Sequence, residues 1–107
     1  MAKTAKTKAA KAEKPEVLPT VCVDHDREGY HIEIELPGVK KEDIDLEMGE
    51  DSFCIRASKE ELVYSSCYAL AHHIVPKNVN ARFANGLLTI RAPFKTPVHV
   101  GTKIAIK

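Results

Sequence analysis

Few residues in this chain have the types and spacing that chemistry needs. His72 and His73 are adjacent. Neighbours in an extended segment point to opposite faces, so the two imidazoles do not converge on one ion. Cys22, Cys54 and Cys67 make an odd count with no C-x-x-C pair, and no Cys/His spacing matches a structural zinc site. They are expected to be free thiols, core or half-buried, in a reducing cytosol. Ser65-Ser66-Cys67 is a run of nucleophilic types with no constellation around it. There is no G-x-S-x-G elbow, phosphate-binding loop or H-E-x-x-H pair. Asp43, Asp45 and Glu47 alternate along the chain and read as one solvated face. No catalytic residue, metal ligand or cofactor is expected, and the chain is not expected to be an enzyme.

Charge separates the chain into two parts. The formal net charge is +1 over 107 residues. Residues 1–16 carry five lysines against Glu13 and Glu16, a net +3, which leaves −2 on residues 17–107. The basic part holds no large apolar side chain except Met1. It has nothing to bury against the entropy of folding and is expected to be a disordered tail over 1–16. The body lacks the basic stripe or aromatic platform of a nucleic-acid binder, so the lysines read as a solubilising arm and nucleic acid is not an expected partner. No apolar run approaches the ~18 residues of a membrane span, and no apolar stretch follows the N-terminal lysines as in a secretory signal. The expected location is the cytoplasm, with no membrane partner.

The elements that would position any site follow period two. Val21 and Val23 alternate with Cys22 and Asp24. Tyr30, Ile32, Ile34 and Leu36 alternate with His31, Glu33 and Glu35, the pattern of a half-buried strand. Pro37-Gly38 stops it. Lys40-Lys41-Glu42 allow about one helical turn. Ile44, Leu46 and Met48 form the next alternating set, and Phe53, Ile55 and Ala57 follow the turn at Gly49-Glu50-Asp51. Lys59-Glu60-Glu61 breaks the pattern, and Tyr68 to Val75 is expected to be a strand ended by Pro76. Residues 80–84 place Ala81 and Phe83 on one face. Asn85-Gly86 is a two-residue hairpin signal, since both centres of a type I′ turn need positive φ. Leu88, Ile90 and Ala92 return up to Pro93. About seven short strands without a ten-residue helical pattern predict an all-β, immunoglobulin-like sandwich of antiparallel-rich strands over 17–94. Residues 95–107 are expected to be a flexible C-terminal extension.

Three places in this order resemble the alpha-crystallin domain of small heat-shock proteins. Ile34-Glu35-Leu36-Pro37-Gly38-Val39-Lys40-Lys41-Glu42-Asp43-Ile44 is similar to the family's acidic link between two strands. Ala81-Arg82-Phe83-Ala84-Asn85-Gly86-Leu87-Leu88 resembles its hairpin. Ile104-Ala105-Ile106 resembles its I-x-I tail. The resemblance runs from about Val21 to Ile106. It implies an ATP-independent holding chaperone that binds partly unfolded client proteins, prevents their aggregation under stress, and self-associates as a dimer or higher homo-oligomer. It places a client groove between the strand after the acidic link and the strand before the hairpin, here Ile44, Leu46 and Met48 against Ala81 and Phe83. Ile104 and Ile106 become a C-terminal latch for an apolar edge groove, and Val98-His99-Val100 repeats the spacing. One departure is clear: residues 58–67 are too few for the strand that many members exchange between partners. That short loop fits a CS-domain co-chaperone or interaction module, an alternative on the same fold. A β-sandwich adaptor whose basic arm binds nucleic acid is the alternative from a different class.

Overall fold

Tyr30, Ile32, Ile34 and Leu36 point one way along an extended chain. In the computed structural model, which describes residues 14–98 and 101–107, all four are buried. The strand of the first three, β3 (Gly29–Glu35), lies antiparallel between β2 (Thr20–His25) and β8 (Leu87–Pro93). With β7 (Asn80–Ala84) these make a four-stranded sheet in the order β2-β3-β8-β7. A second four-stranded sheet has the order β1-β6-β5-β4. Its strands are β1 (Glu16–Val17), β4 (Ile44–Met48), β5 (Ser52–Ser58) and β6 (Val63–Ala69). All pairings are antiparallel except β1 with β6. The expected all-β sandwich is therefore the fold, with eight strands among the described residues where about seven were expected. Helical structure among the described residues is confined to two 3-10 turns, Lys41–Asp43 and Pro76–Asn78.

The two sheets meet mainly through apolar side chains. Ile32, Ile34, Ile90 and Ala92 come from one sheet, and Phe53, Ile55 and Ala57 from the other. Leu36 and Ile74, from connecting segments, close the ends. No polar or charged residue is among the buried ones described. Apolar burial is thus the main favourable term for this sandwich, at roughly 25 cal/mol per Å² removed from water.

The connections decide which edges share a side. Leu18 and Pro19 alone join β1 to β2, so those two edge strands lie on the same side of the sandwich. Each sheet having four strands, the remaining edges, β4 and β7, share the opposite side. The crossing from β3 to β4 is clamped, because the Leu36 amide donates to the Gly86 carbonyl oxygen at 2.7 Å. Asn85 and Gly86 take φ values of 54° and 79°, as a type I′ turn requires. A Cβ on Gly86 would stand 3.4 Å from the Pro37 Cα, so the acidic link and the hairpin are packed backbone to backbone.

Two expectations about boundaries differ from the structure. The strand expected over Tyr68 to Val75 is instead β6 (Val63–Ala69), and the chain beyond it bends until Ile74 makes a single bridge to Phe94. The reason is the partner strand. β5 pairs with β6 from Ser58↔Val63 to Ser52↔Ala69, and the turn needs only residues 59–62, closed by the Lys59 amide on the Leu62 carbonyl at 3.0 Å. The expected tail over 1–16 also ends earlier. Val63 donates to the Pro15 carbonyl at 2.9 Å, Lys14 Nζ donates to the Lys59 carbonyl at 2.8 Å, and Glu16 belongs to β1. The expectation for residues 1–13 falls outside the described residues.

Shortening a fully buried side chain of β3 removes contacts that nothing else replaces. Ile34→Ala is expected to cost about 2–5 kcal/mol in urea unfolding. Val23→Ala, at a position 43% exposed, is expected to cost less than ~1 kcal/mol. Equal losses at the two sites would contradict the core assignment.

Candidate functional site

Edge strands hold apolar side chains that no neighbouring strand covers among the described residues. Ile44, Leu46 and Met48 of β4 pair with Ala57, Ile55 and Phe53 of β5, so they point toward the core. They are half-buried, because β4 is the last strand of its sheet. Phe83 and Ala81 of β7 pair with Leu88 and Ile90 of β8 and share their inward face. Phe83 is half-buried against the core and Ala81 is exposed. Asp45 and Glu47 are exposed between the apolar positions of β4, and Arg82 is exposed on β7. The five residues expected to form a groove thus sit on the two edge strands of one side. Their geometry suits an extended apolar segment, which can pair with a free strand edge while its side chains enter between the sheets.

The C-terminal segment leaves the sandwich from the opposite end of β8. Phe94 donates to the Glu28 carbonyl at 2.8 Å, Lys95 to that of His73 at 2.9 Å, and Val98 to that of Arg27 at 3.3 Å. Val98 is half-buried against the core. His99 and Val100, the rest of the second latch spacing, fall outside the described residues. Ile104 and Ile106 lie outside any strand and are 78% and 94% exposed.

The cysteine expectation is corrected. Cys54 and Cys67 are joined in a disulfide across β5 and β6, and Cys22 alone is free and exposed. The physical reason is register: Cys54 and Cys67 are directly opposed, with Cα atoms 4.0 Å apart. A signal for this was present. Cys54 lies six residues before Glu60 and Cys67 six after Glu61, so any tight hairpin closing between those glutamates sets the two thiols face to face.

Two polar clusters have structural roles. At the β2–β3 turn, Asp26 Oδ1 accepts from the amides of Glu28 at 2.7 Å and Gly29 at 3.0 Å. Gly29 allows this turn to lie on β8, since a Cβ there would strike the backbone of Ala92 and Pro93. His31 Nε2 lies 3.1 Å from Asp26 Oδ2 and 2.6 Å from Arg91 Nη1. One nitrogen cannot serve both at once. With a proton on Nε2 the ring donates to Asp26; in the tautomer without one it accepts from Arg91, whose guanidinium also lies 3.6 Å from Asp26 Oδ1. The hydrogen bond from His31, then the Glu28 and Gly29 amides and the charge of Arg91, hold the Asp26 carboxyl well below the usual carboxylate range. Of the histidine pair, His72 is half-buried and packs among His25, Tyr30 and Phe94, and its amide donates to Tyr30 Oη at 3.1 Å. His73 is exposed. Among the described residues no group of three or more His, Cys, Asp or Glu side chains is placed to hold a metal. No helix among them is long and apolar enough to cross a membrane.

Two four-stranded sheets packed face to face, with half-buried apolar side chains on the edge strands β4 and β7, define an immunoglobulin-like sandwich domain. The model of the Hsp20/alpha crystallin family matches residues 23–107, and the chain belongs to that family. It is 28% identical over 95 residues to small heat shock protein C2 of Rickettsia felis, covering 74% of this chain and 62% of that protein. It is 27% identical over 93 residues to small heat shock protein C4 of the same organism, covering 72% and 57%. The chain thus spans about three fifths of the length of these relatives. Heat shock protein 16.0 from Schizosaccharomyces pombe has the same fold, with a TM-score of 0.77 at 24% identity over 85% of this chain and 99% of that one.

The Asp26 turn gives a pH-dependent expectation. A depressed folded-state carboxyl adds stability that is complete above its ordinary range, about pH 4, and is lost as pH falls toward the folded value. Asp26→Asn is therefore expected to lower the melting temperature at pH 7. The gap to the parent chain should narrow below about pH 4. Thermal unfolding followed at both pH values checks this, and an unchanged gap would contradict the assigned partners.

Proposed function

We propose that this chain is an ATP-independent holding chaperone of the small heat-shock type. It acts in the cytoplasm as a dimer or higher homo-oligomer, binds partly unfolded proteins through their exposed apolar segments, and blocks their association without a cofactor. The observation that carries the reading is the open side of the sandwich in a member of this family. Ile44, Leu46, Met48, Ala81 and Phe83 lie there on two edge strands that have no further strand partner among the described residues. The service is passive: apolar groups of a client leave water against apolar groups of the groove, with no chemical step to drive.

Ile104 and Ile106 act in this reading as a latch for the same groove, on a neighbouring subunit or on their own. Residues two apart in an extended segment face the same way, so both isoleucines enter together while Ala105 turns out. Burying each contributes ~1.5–3 kcal/mol. Ordering about four residues costs roughly 1–2 kcal/mol each. The two nearly cancel, and a contact near balance yields readily to a client segment. The high exposure of both isoleucines is in keeping with a latch that binds weakly.

Suppression of thermal aggregation of a model client, followed by light scattering without nucleotide, tests the function. Aggregation at an unchanged rate under several-fold molar excess of the chain would count against it. For the latch, the double change Ile104→Ser with Ile106→Ser is expected to give smaller assemblies by native mass measurement with the melting temperature kept. Unchanged assemblies with a melting temperature lowered as for a core cavity, about 2–5 kcal/mol of stability, would instead make the tail part of the fold.

A further inference from the structure

The disulfide sits where it can control an edge. Cys54 and Cys67 lie on the outer face of the β4-β5-β6 sheet, away from the core, with Cys67 exposed and Cys54 half-buried. They share a shallow depression with Asp45, Glu47, Arg56 and Ser65. β1 pairs only with Val63 and Tyr64 of β6. Over Ser65–Ala69, β6 has β5 as its only strand partner among the described residues, and the disulfide joins the two within that stretch. Beneath it, Tyr68 stacks on the buried Phe53 with ring centroids 5.0 Å apart.

We propose that Cys54–Cys67 is a thiol–disulfide exchange site, opened by a dithiol reductant and closed by a disulfide oxidant, that sets how firmly β6 is held to the sandwich. The exposed Cys67 Sγ is the point of attack. A thiolate of the reductant bonds to it, and Cys54 Sγ leaves with the electron pair and takes a proton. The second thiol of the reductant then displaces Cys67, which is protonated in turn, and the reductant departs as its own disulfide. Two electrons and two protons pass from the dithiol to the protein. A disulfide oxidant reverses this, leaving as two thiols.

The position of this pair makes it a switch instead of a fixed brace. Neither sulfur belongs to the core, so Phe53, Ile55 and Ala57 keep β5 anchored when the bond is open. The unstapled stretch of β6 is then retained by its ladder to β5 and by Tyr68, and local opening there uncovers Phe53 without unfolding β3 or β8. If the chain acts in the cytoplasm, as proposed above, a disulfide there is mostly transient or redox-sensing, which suits an exposed pair.

The test uses the full chain with Cys22→Ser, so that only the pair reports. After treatment with oxidised glutathione, alkylation in denaturant should label no cysteine; after native treatment with dithiothreitol it should label both, and oxidised glutathione should restore the unlabelled state. Amides of residues 65–69 should exchange with deuterium at least about tenfold faster in the reduced form, a larger change than in β3. Adding Cys54→Ser and Cys67→Ser should reproduce the fast exchange and abolish the response to dithiothreitol. Two labelled cysteines after oxidation, none after native reduction, or equal exchange at residues 65–69 in both redox forms would each overturn the proposal.

Discussion

The register of β3 is the constraint on which this sandwich depends. Its inward row of Tyr30, Ile32 and Ile34 continues into Leu36, and all four are buried. A slip of one residue would turn His31, Glu33 and Glu35 inward. Burying such groups without partners costs several kcal/mol each, so the competing pairings are strongly disfavoured. Once β3 is set, Leu36 stands where its amide meets the Gly86 carbonyl. That hydrogen bond joins the exit from one sheet to the hairpin of β7 and β8. The placement of β4 on one sheet and β7 on the other then follows, and with it the side on which both edges remain open.

The two sides of the sandwich are managed differently. Free strand edges invite association, and on one side charges interrupt the apolar row, with Asp45 and Glu47 on β4 and Arg82 on β7. On the other side, β1 covers just the start of β6, and a covalent link holds the next stretch. β2 keeps an edge with no strand partner among the described residues. The turn between β5 and β6, residues 59–62, holds no strand that could be lent to another subunit.

Much of the fold was legible because β3, β4, β5 and β8 alternate cleanly between apolar and polar side chains. β6 was not, since its inward positions are Tyr64, Ser66 and Tyr68 and its outward ones include Val63, Cys67 and Ala69. Both faces mix apolar and polar types, so no period stands out, and the strand is specified by its partner. β1 is two residues long, below any periodicity. The cysteine reading failed for a related reason. An odd count and wide spacing describe the chain as a line, whereas a disulfide depends on what the hairpin at Lys59–Leu62 brings together. The site residues were legible as strand positions from alternation alone. That β4 and β7 share a side was not, because it follows from the brevity of the Leu18-Pro19 link.

A division of strength between centre and edge follows from these contacts. β3, β5 and β8 supply most of the fully buried side chains, and their opening approaches the cost of unfolding the domain. The outer elements are each held by terms of a few kcal/mol: half-buried side chains on β4 and β7, and one covalent link on β6. Domain stability itself is only about 5–15 kcal/mol. Changes of a few kcal/mol made at the centre would therefore raise the unfolded fraction by orders of magnitude, whereas the same change at an edge alters what is exposed and leaves the sandwich standing. On the proposed function, a protein that offers apolar surface and withdraws it again places its adjustable contacts at the edges, and the edge strands β4 and β7 and the link between Cys54 and Cys67 lie there.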